Sequence, residues 1–287
     1  MDKISVVIPT KNRPQDIMRC MESILIQTLL PDEIVIVDSS DTDELKAKLY
    51  SLGNKININY IHAKVNLSQA RNIGIDNSTM DIISFVDDDD ILDKEYLKEV
   101  KHVFDNDREG RVGGITGEKI MKLNRFSDRF LLPVYQIFAK VFLLWRYGDG
   151  RLQPSGLPTL IQPGTVDKPV EVEYVVGYSM SFRRKVINEF RFDEELPHFD
   201  DDDIGYRVSR EYKNIYAPRA KFVHNAARRG GHGGRIRRMI VDIREFHHYS
   251  KKNLPQTPQH KLAFYWASLG CIIRKLAMGV LSLLGLS

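Results

Sequence analysis

The sequence predicts an α/β fold, with a doubly wound and mostly parallel sheet, flanking helices and a helical tail at the C-terminus. The first 120 residues alternate strand-like and helix-like apolar spacing, which is typical of parallel strands joined by crossover helices. With 287 residues, 43% of them hydrophobic and 28% charged, the chain can bury a sizeable core. This composition excludes a disordered, collagen-like or coiled-coil protein, and the lack of an internal repeat excludes a solenoid or propeller.

Short apolar segments and helical spacing define the elements of the first part. The predicted strands are Ile4–Ile8, Glu33–Val37, Ile56–Ile61 and Asp81–Val86. The predicted crossover helices run between Pro14 and Pro31 and over Asp43–Leu52, Leu67–Asn77 and Asp93–Phe104. Ligands of such sheets bind at the carboxyl ends of the strands, so the loops after Ile8, Val37 and Val86 are the candidate site.

The second part has a different texture. Phe130–Trp145 is almost wholly apolar and is followed by a long loop rich in glycine and proline. Beyond it we expect regular structure over Val170–Phe182, a helix starting near Arg183, an acidic loop, a helix from about Asp202 to Tyr212, and short strands at Asn214–Ala217 and Ala220–Val223.

Charge and cysteine content restrict the class of protein. The net charge of +4 and the pI near 8.9 are too mild to indicate nucleic-acid binding without a clustered basic patch. Cys20 and Cys271 are far apart, so neither a disulfide framework nor a Cys-x-x-Cys metal site is expected. Ile4–Ile8 is too short for the apolar region of a signal peptide, and we expect a cytoplasmic protein.

Polar residues follow the first two predicted strands. Pro9, Thr10 and Arg13 lie in a loop that leads to a helix N-terminus, where a nucleotide could bind, although an ordinary loop would look the same. Neither a Gly-x-Gly-x-x-Gly nor a P-loop motif is present. Asp38 could accept the imide N–H of a uracil or could cap the helix that starts near Asp43.

Two runs of four aspartates are the stronger chemical signals. Asp87–Asp90 ends an apolar strand, where four acids would repel one another unless a cation such as Mg²⁺ or Mn²⁺ lay among them; a solvated acidic turn is the alternative. Asp200–Asp203 precedes a helix on which Asp203 and Arg207 can pair. Another carboxylate of this run could act as a general base, and helix capping is the alternative.

The motifs in their order resemble those of family 2 glycosyltransferases with the GT-A fold. The first four matching segments are Ile4–Arg13, Ile36–Ser40, Ala70–Gly74 and Phe85–Asp90. Two more follow, Gly177–Arg184, similar to an acceptor-side segment, and Asp200–Arg207, similar to a Glu-Asp-x-Asp-Leu-Gly-x-Arg stretch.

The resemblance implies roles for individual residues. It gives Asp38 the uracil contact, Pro9, Thr10 and Arg13 the nucleotide pocket, and Arg71 a position beside the base or the diphosphate. Asp87 and Asp89 become the outer members of the Asp-x-Asp motif, with Asp88 between them in donor binding. The implied metal ligands are Asp89, Asp87 and His224. Asp201 matches the catalytic aspartate, but Asp200 replaces the usual glutamate, so the assignment between these neighbours stays open.

The resemblance also implies an inverting glycosyltransferase that uses a divalent metal, Mn²⁺ or Mg²⁺. The expected donor is a nucleotide sugar, a UDP-sugar in first place, and the expected acceptor is a glycan or polyprenyl-linked sugar of a surface polysaccharide or glycoprotein glycan. Residues 1–120 would bind the donor, 121–225 would bind the acceptor and carry catalysis, and 226–287 would form a basic loop and amphipathic helices. The alternatives are a sugar nucleotidyltransferase, which would need an early glycine-rich phosphate loop, and an inactive scaffold.

Two apolar segments indicate peripheral attachment to the cytoplasmic face of the cell membrane. As a helix, Phe130–Trp145 would be shorter than the hydrocarbon core of a bilayer. Leu262–Leu286 is long enough, but Arg274 and Lys275 lie at its centre, where charges are costly. We therefore expect interfacial helices, with burial in the protein or in a dimer as the alternative. The stretch Arg228–Arg235 is either a lid over a diphosphate or a basic loop.

Overall fold

The computed structural model describes residues 2–50, 56–120, 126–225 and 235–283. The chain divides into two compact units, Met1–Met121 with Pro163–Arg229, and Lys122–Gln162 with Gly230–Ser287. The predicted segment 121–225 is divided between these units. Residues 122–162 group with the C-terminal helices, and residues 163–225 group with the sheet.

The elements follow one another in a mixed α/β order. The first unit begins with β1 (Ile4–Thr10), α1 (Pro14–Leu25), β2 (Glu33–Asp38), α2 (Leu45–Tyr50), β3 (Asn57–His62), α3 (Leu67–Asp76), β4 (Ile82–Val86), β5 (Asp90–Leu92), α4 (Tyr96–Asn106) and β6 (Val112–Lys119). The second unit then contributes α5 (Phe126–Val141), β7 (Arg146–Tyr147) and β8 (Thr159–Leu160). The first unit continues with β9 (Val170–Val172), β10 (Ser179–Arg183), α6 (Arg184–Phe190), α7 (Asp200–Glu211) and β11 (Lys213–His224), and the second ends with α8 (Arg235–Asn253) and α9 (Pro258–Leu283).

A nine-stranded sheet organises the first unit. Its order is β3-β2-β1-β4-β10-β6-β11-β5, with β9 paired to β11. Neighbours from β3 to β4 are parallel, whereas β10 runs antiparallel to both β4 and β6. The side chains of β1, β2 and β4 are buried throughout, as expected for parallel strands covered on both faces. The predicted α/β fold, with a mostly parallel sheet and flanking helices, is confirmed.

Apolar side chains cover each face of the sheet. The buried face of α1, with Ile17, Cys20, Met21 and Ile24, belongs to one core cluster. Residues of α3, α6 and α7 belong to a second cluster with Val7, Val35 and Phe85. The helix α3 can lie close to β1 because Gly74 has no Cβ, which would otherwise collide with the side chain of Val7.

Several predicted boundaries need correction. β1 continues to Thr10, so Pro9 and Thr10 lie in a strand and not in a loop. α1 ends at Leu25, well before Pro31, and α7 starts at Asp200, so the second acidic run is the first turn of a helix and not an acidic loop. The two short strands predicted after Tyr212 are one strand, β11. β5 and β6 were not predicted.

Helix packing dominates the second unit. Phe246 of α8 contacts Phe264 of α9, and the Tyr249 hydroxyl donates to the carbonyl of Gly156 at 2.8 Å. The short strands β7 and β8 pair in parallel. Across the described ranges, no helix is both long and apolar enough to cross a membrane. Residues 228–234 of the predicted lid lie outside the described residues.

Candidate functional site

The candidate site lies where β1, β2 and β4 end. Thr10 is in register with Asp38 on the neighbouring strand, and β4 pairs with β1 on its other side. The first acidic run therefore begins beside the end of β1. The chain brings the predicted residues of these three strands to one edge of the sheet, as the strand order requires.

Asp88 and Asp89 are held by residues at the end of β1 and just after it. The Thr10 hydroxyl donates to Asp88 Oδ2 at 2.7 Å, and Arg13 Nη1 lies 3.0 Å from both Asp88 Oδ1 and Asp89 Oδ2. Burial raises the pKa of Asp88, while Thr10 and Arg13 act in the opposite direction. Arg13 is 31% exposed at its side chain, so part of its guanidinium remains accessible to a ligand.

Asp89, Asp90 and His224 form a donor set suited to a metal ion. His224 is in register with Asp90 across β11 and β5, and its Nδ1 lies 2.8 Å from Asp90 Oδ1 and 3.4 Å from Asp89 Oδ1. One ligand atom from each of the three residues falls within 4.8 Å of the others. Two carboxylates and an imidazole fit Mn²⁺ well and can also serve Mg²⁺.

Asp90 itself supports the fit to a cation. It is fully buried, and its Oδ2 has no hydrogen-bond partner among the described residues. Burial, followed by the charges of Asp87 and Asp89, raises the pKa of Asp90 well above its ordinary value. A cation bound here would supply the missing partner. Sequence reasoning missed Asp90 as a candidate ligand because only the pairing of β5 with β11 reveals it.

Arg71 lies between the two acidic runs. It is 1% exposed, and it forms an ion pair with Asp200 through Nη1. Its Nη2 donates to Asp87 Oδ1 at 3.2 Å and to the carbonyl of Gly177 at 2.7 Å. Arg71 thus forms a buried bridge between Asp87, Asp200 and the carbonyl of Gly177, and its position beside a base or diphosphate stays a prediction. Asp87 belongs to this bridge and not to the donor set of Asp89, Asp90 and His224.

The bridge also bears on the acidity of Asp87 and Asp200. Burial raises the pKa of Asp87 to about 6 against the opposing charge of Arg71. The pKa of Asp200 is likewise raised by burial and lowered in part by Arg71.

Asp200 and Asp201 differ in what surrounds them. Asp200 is 3% exposed, pairs with Arg71, and accepts the backbone N–H of Asp201 at 3.0 Å. Asp201 is half-buried, and its Oδ2 accepts the backbone N–H of Gly177 at 2.7 Å. Burial and then the charge of Asp200 raise the pKa of Asp201 to about 6. A carboxylate that is partly accessible and has this pKa suits proton transfer near neutral pH.

Asp38 is enclosed by its neighbours and is not accessible to solvent. It is fully buried, with the Tyr60 hydroxyl donating to its Oδ2 and the backbone N–H of Ser40 donating to its Oδ1, both at 2.8 Å. Burial and then this hydrogen bond raise the pKa of Tyr60. Asn12 and Asp41, which are exposed at this edge, are joined by a 2.9 Å hydrogen bond. The contact of Asp38 with a uracil stays a prediction.

Tyr178 and Lys119 are further residues that sequence reasoning did not select. The ring of Tyr178 stacks on His224 with centroids 5.0 Å apart, and Lys119 Nζ lies 5.1 Å from the centre of the Tyr178 ring. The segment Gly177–Arg184 was recognised as a motif, but the stack depends on β10 and β11, which the sequence did not position accurately.

Solved structures with the same architecture are glycosyltransferases. The structure of TarS residues 1–349 from Staphylococcus aureus superposes with a TM-score of 0.60 at 17% identity, covering 92% of this chain and 70% of that one. The mannosyltransferase PcManGT from Pyrobaculum calidifontis, in complex with GDP-Man and Mn²⁺, gives 0.60 at 19% identity, covering 97% and 75%. The fold of this protein is of the GT-A type.

The sequence identifies the family within that class. The family model for glycosyl transferase family 2 matches residues 5–190, and the chain belongs to this family. Glycosyltransferase GlyA of Streptococcus pneumoniae is 34% identical over 101 residues, which are 34% of this chain and 14% of GlyA. Poly(ribitol-phosphate) beta-N-acetylglucosaminyltransferase TarS of S. aureus is 29% identical over 110 residues, 37% of this chain and 19% of TarS. The matched segments are thus a minor part of these relatives.

Loss of the Arg71 bridge is expected to destabilise the protein strongly. Arg71→Met leaves Asp87 and Asp200 without their cation, which should lower the free energy of unfolding by about 3–5 kcal/mol. Arg19→Met, which breaks an exposed pair with Asp16, should cost no more than about 1 kcal/mol. Urea unfolding measures both. Equal losses in the two variants would contradict the bridge, and Arg71→Met combined with Asp200→Asn should recover part of the loss.

Proposed function

We propose that this protein is an inverting glycosyltransferase that moves a sugar from a nucleotide-sugar donor to a hydroxyl group of an acceptor. The observation that carries the proposal is the pair of acidic runs that Arg71 links through Asp87 and Asp200. The first run contributes Asp89 and Asp90 to a donor set suited to a divalent cation, and the second contributes Asp201, a half-buried carboxylate with a raised pKa. Family membership supports the same reaction.

The donor site is proposed at the ends of β1, β2 and β4. Asp89, Asp90 and His224 would hold Mn²⁺ or Mg²⁺, which would neutralise the charge of the departing nucleoside diphosphate. Pro9, Thr10, Arg13 and Asp38 would form the nucleotide pocket, with Asp87 and Asp88 supporting it. We infer a UDP-sugar in first place; the structure of TarS with UDP-GlcNAc supports this choice, and the GDP-Man complex of PcManGT makes GDP-sugars the necessary comparison.

Asp201 is proposed as the catalytic base. Its carboxylate would take the proton of the acceptor hydroxyl while that oxygen bonds to the anomeric carbon on the side opposite the nucleoside diphosphate. The bond to the diphosphate breaks in the same step, and its electron pair leaves with the diphosphate, so the configuration inverts. Asp200, paired with Arg71, would hold Asp201 through its backbone N–H and would not itself accept the proton.

The acceptor is proposed to be a glycan or polyprenyl-linked sugar at the cytoplasmic face of the cell membrane. TarS, whose name gives poly(ribitol-phosphate) as its acceptor, supports a polymeric acceptor. Release of UDP from the donor would distinguish transfer from nucleotidyl chemistry, which releases pyrophosphate, and from an inactive scaffold, which releases neither.

Donor binding should require the metal. UDP at about 100 times its Kd should stabilise the protein by about 2.7 kcal/mol, but only with Mn²⁺ or Mg²⁺ present, because the diphosphate meets an acidic site. Asp89→Ala should remove this increment in thermal unfolding. Asp105→Ala, which changes an exposed carboxylate paired with Lys101, should retain it. Equal stabilisation by UDP in EDTA would overturn the metal role.

Substitutions at three neighbouring aspartates test which of them is the base. Asp201→Asn should leave UDP binding intact and lower transfer by roughly 10²–10⁴-fold, the contribution of a positioned general base. Asp202→Asn, a change in the same helical turn, should lower it only a few-fold. The measurement is the rate of UDP release from the donor. A severe loss in Asp200→Asn with a mild one in Asp201→Asn would move the base to Asp200.

The pH profile should reflect the pKa of Asp201. Because the base must be ionised and its pKa is about 6, kcat should be level above pH 7 and fall about tenfold per unit well below pH 6. The groups around it are Asp200, Arg71 and the backbone N–H groups of Gly177 and Asp202. Measuring UDP affinity over the same range separates catalysis from binding. A kcat that stays level down to pH 5 would be incompatible with this base.

A further inference from the structure

The second unit exposes several apolar side chains on each of two helices, and Ile240 on α8. On α9 they are Leu262, Tyr265, Trp266, Leu269, Ile273 and Leu276, and on α5 they are Val134, Ile137 and Val141. Single exposed apolar residues are ordinary, but a contiguous group on a globular protein indicates a binding surface. We call these nine side chains the α5–α9 face.

The two helices are antiparallel neighbours, which makes the face continuous. Trp266 Nε1 donates to the carbonyl of Val141 at 2.7 Å, and the Trp266 ring stacks on Phe142 with centroids 4.9 Å apart. Toward the other end of the pair, Arg274 Nη1 lies 3.5 Å from the hydroxyl of Tyr135. The exposed residues of α5 therefore lie alongside those of α9.

The exposed residues of α9 occupy one side of that helix. At about 100° per residue, the six side chains fall within an arc of about 100°. The opposite side carries Ala263, Phe264 and Ala267, which are buried. The helix is thus apolar on two sides. One side packs within the unit, and the other faces solvent.

The two charges in the centre of α9 lie off the exposed arc. Lys275 forms an ion pair with Asp242 of α8, and Arg274 approaches Tyr135 of α5. They are therefore accommodated within the unit and do not interrupt the face. The exposed apolar side of α9 therefore carries no charge, although the sequence of this helix contains an Arg-Lys pair.

We propose that the α5–α9 face seats the protein on a bilayer that contains anionic lipids. The second unit carries 15 of the chain's 42 basic residues but only 4 of its 38 acidic ones. Lys251 and Lys252 at the end of α8, and Lys261 beside Leu262, are exposed. This excess of positive charge complements anionic headgroups.

The composition of the face fits the membrane interface. Trp266 and Tyr265 are the residue types enriched at the headgroup level, and the leucines and isoleucine beside them suit the acyl boundary. The stripe from Leu262 to Leu276 is roughly 21 Å long at 1.5 Å per residue, and it would lie in the plane of the membrane. This surface goes beyond the transfer reaction, since vesicle binding needs neither donor nor acceptor.

Vesicle co-sedimentation of the full chain tests the surface. Binding should be strong to vesicles of phosphatidylcholine with phosphatidylglycerol, and weaker to phosphatidylcholine alone and at high salt, because screening removes the ionic part. Leu262→Glu with Leu269→Glu should lower the partition coefficient at least tenfold. Ile26→Glu, an equally exposed apolar residue of the first unit, is the matched control and should bind as the wild type does. Thermal unfolding shows whether each variant is folded.

Fluorescence gives a second readout that does not depend on disruptive variants. The chain has two tryptophans, so Trp145→Phe leaves Trp266 as the only reporter. Its emission should shift to the blue on the vesicles and should be quenched by brominated lipid. Absence of vesicle binding, or binding and quenching that persist unchanged in the double glutamate variant, would overturn the proposal. So would a wild-type dimer that this variant converts to a monomer, because the face would then belong to a second copy.

Discussion

Arg71 places a permanent positive charge between Asp87 and Asp200, whose carboxylates the fold removes from water. The two carboxylates come from different acidic runs, one after β4 and one at the start of α7. Without a cation between them, like charges would face each other in a medium that screens poorly. With Arg71, which also donates to the carbonyl of Gly177, the start of α7 is tied to the edge of the parallel sheet. The positions of Asp201 and Gly177 depend on that tie.

Because of this bridge, the adjacent aspartates Asp200 and Asp201 have different surroundings. Asp200 is fixed by Arg71, so its carboxylate orients its neighbour by accepting the Asp201 N–H. Asp201 has no cation of that kind at hydrogen-bond distance among the described contacts, and burial next to Asp200 raises its pKa to about 6. Two carboxylates one residue apart thus acquire different proton affinities and accessibilities from their surroundings.

The sequence predicted the strands that are buried on both faces, and it missed β5 and β6. β1, β2 and β4 read as continuous apolar runs, because parallel strands are covered by helices on each side. β6 was missed because Gly113, Gly114 and Gly117 interrupt its pattern; each lies where a Cβ would collide with neighbouring atoms. At the site, the acidic runs and His224 were recognised, but the pairing of Asp90 with His224 was not, since it joins residues 134 positions apart. The sequence does not show that Arg71 is buried, because arginine side chains are mostly exposed in proteins.

The distribution of charge explains why a donor of this kind would need a cation. The first unit holds 34 of the chain's 38 acidic residues and 27 of its 42 basic ones, and its sheet edge gathers the carboxylates of Asp87, Asp88, Asp89 and Asp90. The arginines there already pair with those carboxylates, Arg13 with Asp88 and Asp89, and Arg71 with Asp87. A nucleoside diphosphate approaching this edge would add further negative charge. For the proposed donor, a further positive charge would make this binding more favourable, and the set of Asp89, Asp90 and His224 is where the described residues could hold one.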